Sequence, residues 1–567
     1  MAREHCDMVL YNGKIVTVDN EFSIAEAVAI GGGRFIRAGK TAEIRGMAGA
    51  DTKEIDLKGN TVLPGFIDSH PHVANHGTAR ATYLSLAGLH AIQAIKKCIA
   101  EKVREARPGE WIRTSPIGEP PDYHDPPDKL VEKRWPTRWD LDEVAPDNPV
   151  YVPTPGTTPN PMLTNSCGLR LLGISKDTPP EEHGIEVVLD AETGEPNGLL
   201  YGMHLWSLSP YRRKLMSLLP RPSYGQMMDG LREEIKDRNA AGVTTAYEGH
   251  SMTARHLAMH KDLWSRNELT MRVCFAYEID IAKSADEIDR WMRELAHATG
   301  SGFGDDVLKI CGVTTSLDGP TNFGAALMNR PQNHYLGGPT TGIEYVSTES
   351  LKRMALAAAR NNLRMNVCCG GDRSGDMALE AYEEVNREIP IGDRRWVLMH
   401  VQHPTRDYVR RCGELGIAIT TYTSVDYSKG ADTYRRMLGG DYWKTSVPLR
   451  WWLDEGVLVA QSTDGAHYEP MFTIWESLRR IDGRTGESLL TPAKEITREE
   501  ALRIFTIEGA RVLFWEDRLG SNEPGKLADL VVLDNDILTC PVDEIRDAKV
   551  LATMVGGEMV YERLDLE

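Results

Sequence analysis

Several features that would place this chain outside the class of soluble globular proteins are missing from its sequence. It has no run of about 18 consecutive apolar residues, so no transmembrane helix is predicted. Its first twelve residues carry charged side chains and no cleavage site, which predicts that no signal peptide is present. It also shows no internal repeat and no low-complexity tract. These absences favour a soluble, folded protein.

Net positive charge is lacking as well, because the formal net charge is −18. Nucleic acids and anionic membranes attract basic proteins, so the sequence argues against either partner. The nine cysteines are odd in number and form no CxxC pattern, which favours a reduced, cytoplasmic protein. A homodimer is the expected assembly, since closed dimers are the commonest soluble oligomers.

The chain is long and rich in apolar residues. Hydrophobic residues make up 41% and charged residues 26%, the proportions of a globular protein with a large core. At 567 residues, the chain is long enough for three or four domains, or for one barrel with insertions.

Short strands separated by turns occupy both ends of the chain. At the N-terminal end, turns at Asn12-Gly13 and Gly31-Gly32-Gly33 predict two hairpins. Their strands are Met8–Tyr11 with Lys14–Val18, and Ala27–Ile30 with Arg34–Ala38. At the C-terminal end the predicted strands are Ala528–Leu533, Val550–Val555 and Met559–Tyr561. Two edge-rich pieces can pair and cover each other's edges, which predicts one small β-sandwich built from both ends.

Between these ends, strands and helices alternate. The eight predicted strands are Val62–Asp68, Val243–Glu248, Arg272–Glu278, Val307–Val313, Arg364–Cys369, Trp396–Val401, Ala418–Tyr422 and Val457–Asp464. Predicted helices include Met227–Ala240, Thr348–Asn361 and one opened by a capping box at Ser284–Glu287. Eightfold alternation predicts an α/β fold, a parallel (β/α)8 TIM-type barrel.

The gap between the first two barrel strands is too long for one connection and predicts an inserted subdomain. We therefore expect four regions. They are residues 1–58 as the N-terminal part of the β-sandwich, 59–75 with 226–500 as the barrel, 76–225 as the insertion, and 501–567 as a C-terminal helix with the rest of the sandwich.

The strongest local motif is LPGFIDSHPH, which runs from Leu63 to His72. Residues i and i+2 of an extended segment point to the same side, so His70 and His72 can face one metal ion. Histidine is a common zinc ligand, and catalytic zinc sites keep one position open. Two surface histidines on a loop are an equally frequent origin of His-x-His, but the preceding strand favours the metal site.

Three further side chains stand at informative places in the predicted barrel. Asp464 ends the eighth strand, where a carboxylate can bind metal and accept a proton, or else merely cap a turn. His400 ends the sixth strand, at the barrel end that carries active sites. Lys309 lies inside an apolar strand, where it is either paired in the interior or directed outward to water.

These motifs together resemble the amidohydrolase superfamily, specifically the YtcJ-like branch that includes N-substituted formamide deformylases. The LPGFIDSHPH start carries the likeness, and so does the closing run from Glu523 to Asp534, EPGKLADLVVLD. Arg134–Pro149 and Asn165-Ser166 resemble the inserted region of that branch. The resemblance covers nearly the whole chain.

The resemblance implies a barrel that holds one or two divalent metal ions, zinc above all, and no organic cofactor. Matched residue by residue, the expected metal ligands are His70, His72, Lys309, His400 and Asp464, with the lysine carboxylated to bridge two metals. Asp464 and His400 are the expected catalytic residues.

The chain departs from the branch at several of these positions. Cys368, in Cys368-Cys369-Gly370-Gly371-Asp372, replaces the histidine expected after the fifth strand. A thiolate binds zinc well, so Cys368 is either a replacement ligand or a packed core residue. Gly202 stands where the branch has an acidic residue. Strand two ends in Glu248-Gly249-His250, and Glu248, His250 and His403 are candidates for contacting substrate.

The sequence thus predicts a metal-dependent hydrolase that cleaves an amide, a related C–N bond or an ester of a small molecule. Two alternatives stay open because a fold does not fix a function. One is different chemistry on the same metal site, such as C–C cleavage, hydration or deamination. The other is a non-catalytic protein that binds a ligand.

Overall fold

Strands dominate both ends of the chain and alternate with helices between them. The computed structural model describes residues 6–179, 184–465 and 467–563. The strands are β1 (Met8–Tyr11), β2 (Lys14–Val16), β3 (Ile24–Ala25), β4 (Ala27–Gly31), β5 (Arg34–Gly39), β6 (Lys53–Asp56), β7 (Thr61–Pro64), β8 (Phe66–Asp68), β9 (Ile112–Arg113), β10 (Val150–Val152), β11 (Met162–Thr164), β12 (Glu186–Leu189), β13 (Pro196–Tyr201), β14 (Val243–Glu248), β15 (Arg272–Glu278), β16 (Leu308–Ser316), β17 (Gln332–Asn333), β18 (Pro339–Thr340), β19 (Met365–Cys369), β20 (Val397–His400), β21 (Ala418–Thr421), β22 (Val459–Gln461), β23 (Leu530–Leu533), β24 (Val550–Val555) and β25 (Glu558–Glu562).

The α-helices are α1 (Thr41–Arg45), α2 (Val73–Thr82), α3 (Ile92–Val103), α4 (Arg138–Asp142), α5 (Ser166–Leu172), α6 (Pro210–Leu218), α7 (Tyr224–Ala240), α8 (Ala254–Ser265), α9 (Ala285–Ala298), α10 (Thr348–Arg360), α11 (Asp372–Glu388), α12 (Arg406–Glu414), α13 (Ser424–Met437), α14 (Leu449–Asp454), α15 (Pro470–Arg479), α16 (Arg498–Phe505) and α17 (Ile507–Val512). Short 3-10 helices lie at Thr321–Phe323, Gly392–Arg394, Tyr442–Lys444 and Val542–Asp547.

Eight strands form the predicted barrel sheet, in the order β8-β14-β15-β16-β19-β20-β21-β22. All seven ladders between neighbours are parallel. The main-chain N–H of Ser69, just past β8, donates to the carbonyl of Gln461 in β22 at 3.2 Å, so the first and last strands also meet. The predicted (β/α)8 fold is confirmed, and the carboxyl ends of all eight strands share one rim.

The first predicted barrel strand, Val62–Asp68, is in fact two strands in two sheets. Its first half, β7, pairs with β2 and β23 of the sandwich, whereas β8 pairs with β14 of the barrel. Gly65 lies between the two strands. Glycine is required there because a Cβ would lie 2.3 Å from the Thr244 side chain. This close approach lets one continuous apolar run serve both domains, which sequence alone did not predict.

The chain ends form the β-sandwich as predicted, but one predicted hairpin is wrong. One sheet has the order β5-β4-β1-β6, and the other β25-β24-β23-β7-β2-β3 joins strands of both chain ends. β4 and β5 pair as predicted around the three glycines. β1 and β2 do not pair, because the turn at Asn12-Gly13 carries the chain from one sheet to the other.

The region between α2 and α7 carries its own five-stranded sheet, with the order β12-β13-β11-β10-β9. Loops of this region reach the rim of the barrel. Asn322 donates to the carbonyl of Thr157 at 2.7 Å, and the ring of His467 lies 3.0 Å from a carboxylate oxygen of Asp122. The insertion therefore covers part of the barrel mouth.

Cys274 and Cys311, on the adjacent strands β15 and β16, lie with their Cα atoms 5.9 Å apart, a separation that a disulfide can span and that the cysteine spacing did not predict. The other described cysteines are free. Across the described ranges, every helix is too short or too polar to cross a membrane.

Candidate metal centre at the barrel mouth

His70 and His72 follow the end of β8, so both imidazoles stand at the carboxyl rim of the barrel. His70 is only 2% exposed, and neither of its ring nitrogens has a hydrogen-bond partner within the described chain. A buried imidazole with two orphaned nitrogens is costly unless another group satisfies it. The rings of His70 and His72 are nearly perpendicular to each other, with centroids 4.6 Å apart.

His400 at the end of β20 and Asp464 after β22 complete a compact group with His70. Their three ligand atoms all lie within 4.8 Å of one another. Asp464 Oδ1 stands 3.5 Å from His70 Nε2 and 3.4 Å from His72 Nε2. The backbones of His400 and Asp464 are left-handed, with φ of 71° and 51°. Such strained conformations in non-glycine residues concentrate at functional sites.

Local electrostatics keep these groups in the protonation states that bind metal. Burial lowers the pKa of His70 well below its usual value, and the neighbouring His72 and His400 lower it further. Burial also lowers the pKa of His400 to about 4. For Asp464, burial alone would raise the pKa, but His400, His72 and His70 hold it well below its usual value. His70 and His400 are therefore neutral and Asp464 is ionised at neutral pH.

Buried hydrogen bonds brace the first strand against the eighth behind this group. Asp68 accepts from the main chain of His70 at 3.2 Å and from the Thr463 hydroxyl at 2.6 Å. Arg238 of α7 donates to the same Thr463 hydroxyl and to the carbonyl of Pro71. The two strands that carry ligands are thus fixed relative to each other.

His250, after β14, also faces the cluster. Its ring centroid is 5.6 Å from that of His70 and 5.8 Å from that of His72. Ser316 Oγ lies 3.1 Å from its Nδ1, and Glu278 Oε2 lies 3.4 Å away. These partners come from β15 and β16 and orient the imidazole.

Glu248 and His76 lie beside His72. Glu248 is buried, the main-chain N–H groups of Val73 and Ala74 face its carboxylate, and burial raises its pKa to about 7. His76 is one helical turn beyond His72, with the rings 6.5 Å apart. Gly465 is glycine because a Cβ there would lie 2.2 Å from His76 Nε2. His76 was missed from the sequence, although its i+4 spacing from His72 was a usable signal.

Cys368 reaches the same rim but lies outside the compact group. Burial raises the pKa of its thiol well above the usual value, and the carboxylates of Asp318 and Asp464 add to this. Asp318 fixes the turn that follows, accepting from the main chain of Gly370 at 2.8 Å and of Gly371 at 2.9 Å.

Two predicted site residues lie outside the compact group. Lys309 is the second residue of β16, at the opposite end of that strand from Ser316. Its ammonium donates to the carbonyl of Leu513 at 3.3 Å and lies over the Trp515 ring, so the structure favours the alternative in which it packs outward. His403 is buried between the rings of Tyr434 and Tyr442, apart from the metal ligands.

This donor set fits a divalent metal ion. Neutral imidazoles and one carboxylate are the ligands of catalytic zinc sites, and the orphaned nitrogens of His70 would gain a partner. A model of the amidohydrolase family matches residues 53–561.

The chain belongs to the amidohydrolase family. It is 28% identical to the N-substituted formamide deformylase of Arthrobacter pascens, with 98% of each chain covered. It is 25% identical to the YtcJ protein of Bacillus subtilis, with 98% of this chain and 99% of that one covered. The resemblance inferred from the motifs is thereby confirmed.

A crystal structure of an uncharacterised metal-dependent hydrolase from Pyrococcus furiosus has the same fold. Its TM-score is 0.70 at 22% identity, with 94% of this chain and all of that chain covered. At this level of sequence identity, the similarity shows that the two proteins share a fold.

Proposed function

We propose that this chain is a metal-dependent hydrolase that cleaves an amide or related C–N bond, or an ester, of a small molecule. The observation that carries the proposal is the group formed by His70, His400 and Asp464 at the barrel rim, with His72 beside it. Zinc is the proposed metal, with one or two ions per protomer. Cys368, which stands where the branch has its strand-five histidine, is proposed as a further ligand.

When bound there, a divalent metal supplies Lewis-acid chemistry and lowers the pKa of water toward 7. Asp464 stays ionised at neutral pH, so its carboxylate accepts the proton of the attacking water and passes it to the leaving nitrogen or oxygen. His250, which lies at the rim and faces the cluster, orients the substrate carbonyl and donates to its developing negative charge.

The bridging role expected for Lys309 is not part of this proposal, because that ammonium lies against Trp515. The insertion contributes to specificity, since its loops contact the rim through Thr157 and Asp122.

Metal per protomer, measured by elemental analysis of the purified protein, tests the proposal. We expect about one to two equivalents of zinc in the wild type and loss of metal in His70→Ala. His297→Ala is the matched control, because His297 is exposed and its ring lies 2.7 Å from the carbonyl of Arg293 in its own helix. Metal-free protein that is fully folded would overturn the proposal.

Hydrolysis of a panel of N-formyl amines, N-acetyl amines and aryl esters tests the chemistry. Activity with any member should disappear in both His70→Ala and Asp464→Asn and persist in His297→Ala. Retained metal with no turnover of amides or esters would instead favour different chemistry on the same site.

A further inference from the structure

Lys429 is a buried cation beside the proposed metal centre that the mechanism above does not use. It lies in α13 and is only 7% exposed. Its ammonium acts electrostatically on Asp464 and on His400. A buried ammonium is costly unless a counter-ion or hydrogen-bond acceptors satisfy it.

A chain of contacts connects Lys429 to the centre. Lys429 Nζ donates to Gln402 Oε1 at 3.2 Å, and Gln402 Nε2 donates to the Tyr422 hydroxyl at 3.3 Å. The Tyr422 ring lies 5.3 Å from that of His400. Lys429 therefore stands two hydrogen bonds from a residue that touches a proposed ligand.

Within the described chain, Gln402 is the acceptor within hydrogen-bond distance of this ammonium, which has three donors. The nearby carboxylate of Asp426 is already satisfied. It accepts from Ser446 at 2.7 Å, from Arg480 at 2.9 Å and from Lys494 at 2.6 Å. It is therefore not free to neutralise Lys429.

The second nearby carboxylate, that of Asp318, is occupied too. It accepts four hydrogen bonds, at 2.6 to 2.9 Å, from Leu327, Gly370, Gly371 and Ser374. The third, Asp464, belongs to the proposed metal centre. Each carboxylate that acts on Lys429 therefore has other partners.

His403, which follows Gln402 in the chain, is a second buried polar group near Lys429. It is 4% exposed, neither ring nitrogen has a hydrogen-bond partner in the described ranges, and Lys429 acts on it electrostatically.

Burial lowers the pKa of Lys429 to about 8, so its side chain is still mainly charged at neutral pH.

The local backbone is built to hold Lys429 in place. The helix breaks at the next residue, Gly430, which has φ 71° and ψ 164°. A Cβ on Gly430 would lie 2.3 Å from Asp482 Oδ2, and that carboxylate accepts from the main chain of Ala431 at 3.0 Å. Only glycine fits this kink, and it fixes the end of the segment that carries Lys429.

We propose that Lys429, with Gln402 and His403, forms a subsite for a carboxylate group of the substrate. One ammonium in a dry environment matches one negative charge, which favours a monoanion over a phosphate with its greater charge. The inference rests on the proposed function, because it takes the metal centre as the place where the substrate's scissile bond lies. It restricts the substrates to small amides or esters that carry a carboxylate.

Binding of matched probes tests the subsite without turnover. Monocarboxylates from propionate to 3-phenylpropionate, each paired with its neutral amide, are titrated calorimetrically into zinc-loaded protein. We expect at least one carboxylate to bind about tenfold more tightly than its amide in the wild type. In Lys429→Met the preference should fall to within about twofold while amide affinity stays constant.

Lys444→Met is the control, because Lys444 is exposed and pairs with Asp441 at 3.1 Å. It should keep the wild-type preference. The same titrations on His70→Ala separate the two proposals, since a preference due to Lys429 survives loss of the metal and one due to the metal does not.

Absence of a carboxylate preference in every wild-type pair would overturn the subsite even if Lys429→Met fails to fold. An equal loss of carboxylate and amide affinity in a folded Lys429→Met would also overturn it. Loss of zinc or of hydrolysis with the preference intact would count against the proposed function alone.

Discussion

Thr463 donates twice to the buried carboxylate of Asp68, from its hydroxyl at 2.6 Å and from its main-chain N–H at 3.1 Å. The pair joins the residue before Asp464 to the last residue of β8, two positions before His70. Groups that orient metal ligands commonly change metal affinity 10–100-fold when they are removed. The geometry of the proposed metal centre therefore depends on a contact between residues that bind no metal themselves.

Thr463→Val should weaken zinc binding by about 10–100-fold, because it removes the hydroxyl and keeps the side-chain shape. Competition with a chelator of known affinity measures the effect. Thr315→Val is the matched control, since the Thr315 hydroxyl is buried without a partner in the described chain. Equal affinities in the two variants would contradict a bracing role for Thr463.

Zinc retention should change little between about pH 8 and pH 5 and then decline as the pH falls through about 4. The reason is that burial lowers the pKa of His400 to about 4 and that of His70 well below 6.5, so protons do not compete with metal until the solution is acidic. Dialysis at each pH followed by elemental analysis measures retention, with circular dichroism to confirm folding. Release centred near pH 6.5 in folded protein would disagree with these pKa values.

Cys368→Ala should remove the thiolate-to-metal charge-transfer absorption of the cobalt-substituted protein. Its thiol is protonated at neutral pH because burial raises its pKa, so a bound metal has to displace that proton. Cys412→Ala is the control, because Cys412 is buried in α12. If the absorption is missing from the wild type, Cys368 is a packed core residue.

Arg272→Met should destabilise the fold by about 3–5 kcal/mol, because it leaves the buried carboxylate of Asp529 without its cation. Arg272 of the barrel donates to both oxygens of Asp529, at 2.7 and 2.8 Å, and both side chains are 4% exposed. Denaturant unfolding measures the loss. Arg232→Met, which removes an exposed pair with Glu268, should cost less than about 1 kcal/mol.

By itself, the sequence determined the order of barrel strands and helices, the pairing of the chain ends, and the positions of His70, His400 and Asp464. Each of these rests on local information: apolar runs of strand length, capping boxes, and polar side chains that directly follow a strand. Parallel strands in a barrel place such side chains on one rim, so their proximity followed from the topology.

Only the tertiary structure decided which way Lys309 points. A strand residue faces either the barrel interior or the surrounding helices, depending on the register of its strand. In the ladder between β15 and β16, a bulge close to Lys309 shifts that register. The tertiary structure also separated His403 from the metal ligands and split Val62–Asp68 between two sheets at Gly65. The buried environment of Lys429 was equally invisible, because it depends on Asp426 and Asp318 being satisfied by residues from distant segments of the chain. The local sequence pattern determines where helices and strands begin and end. The partners of a buried charged group are determined by how distant segments pack together.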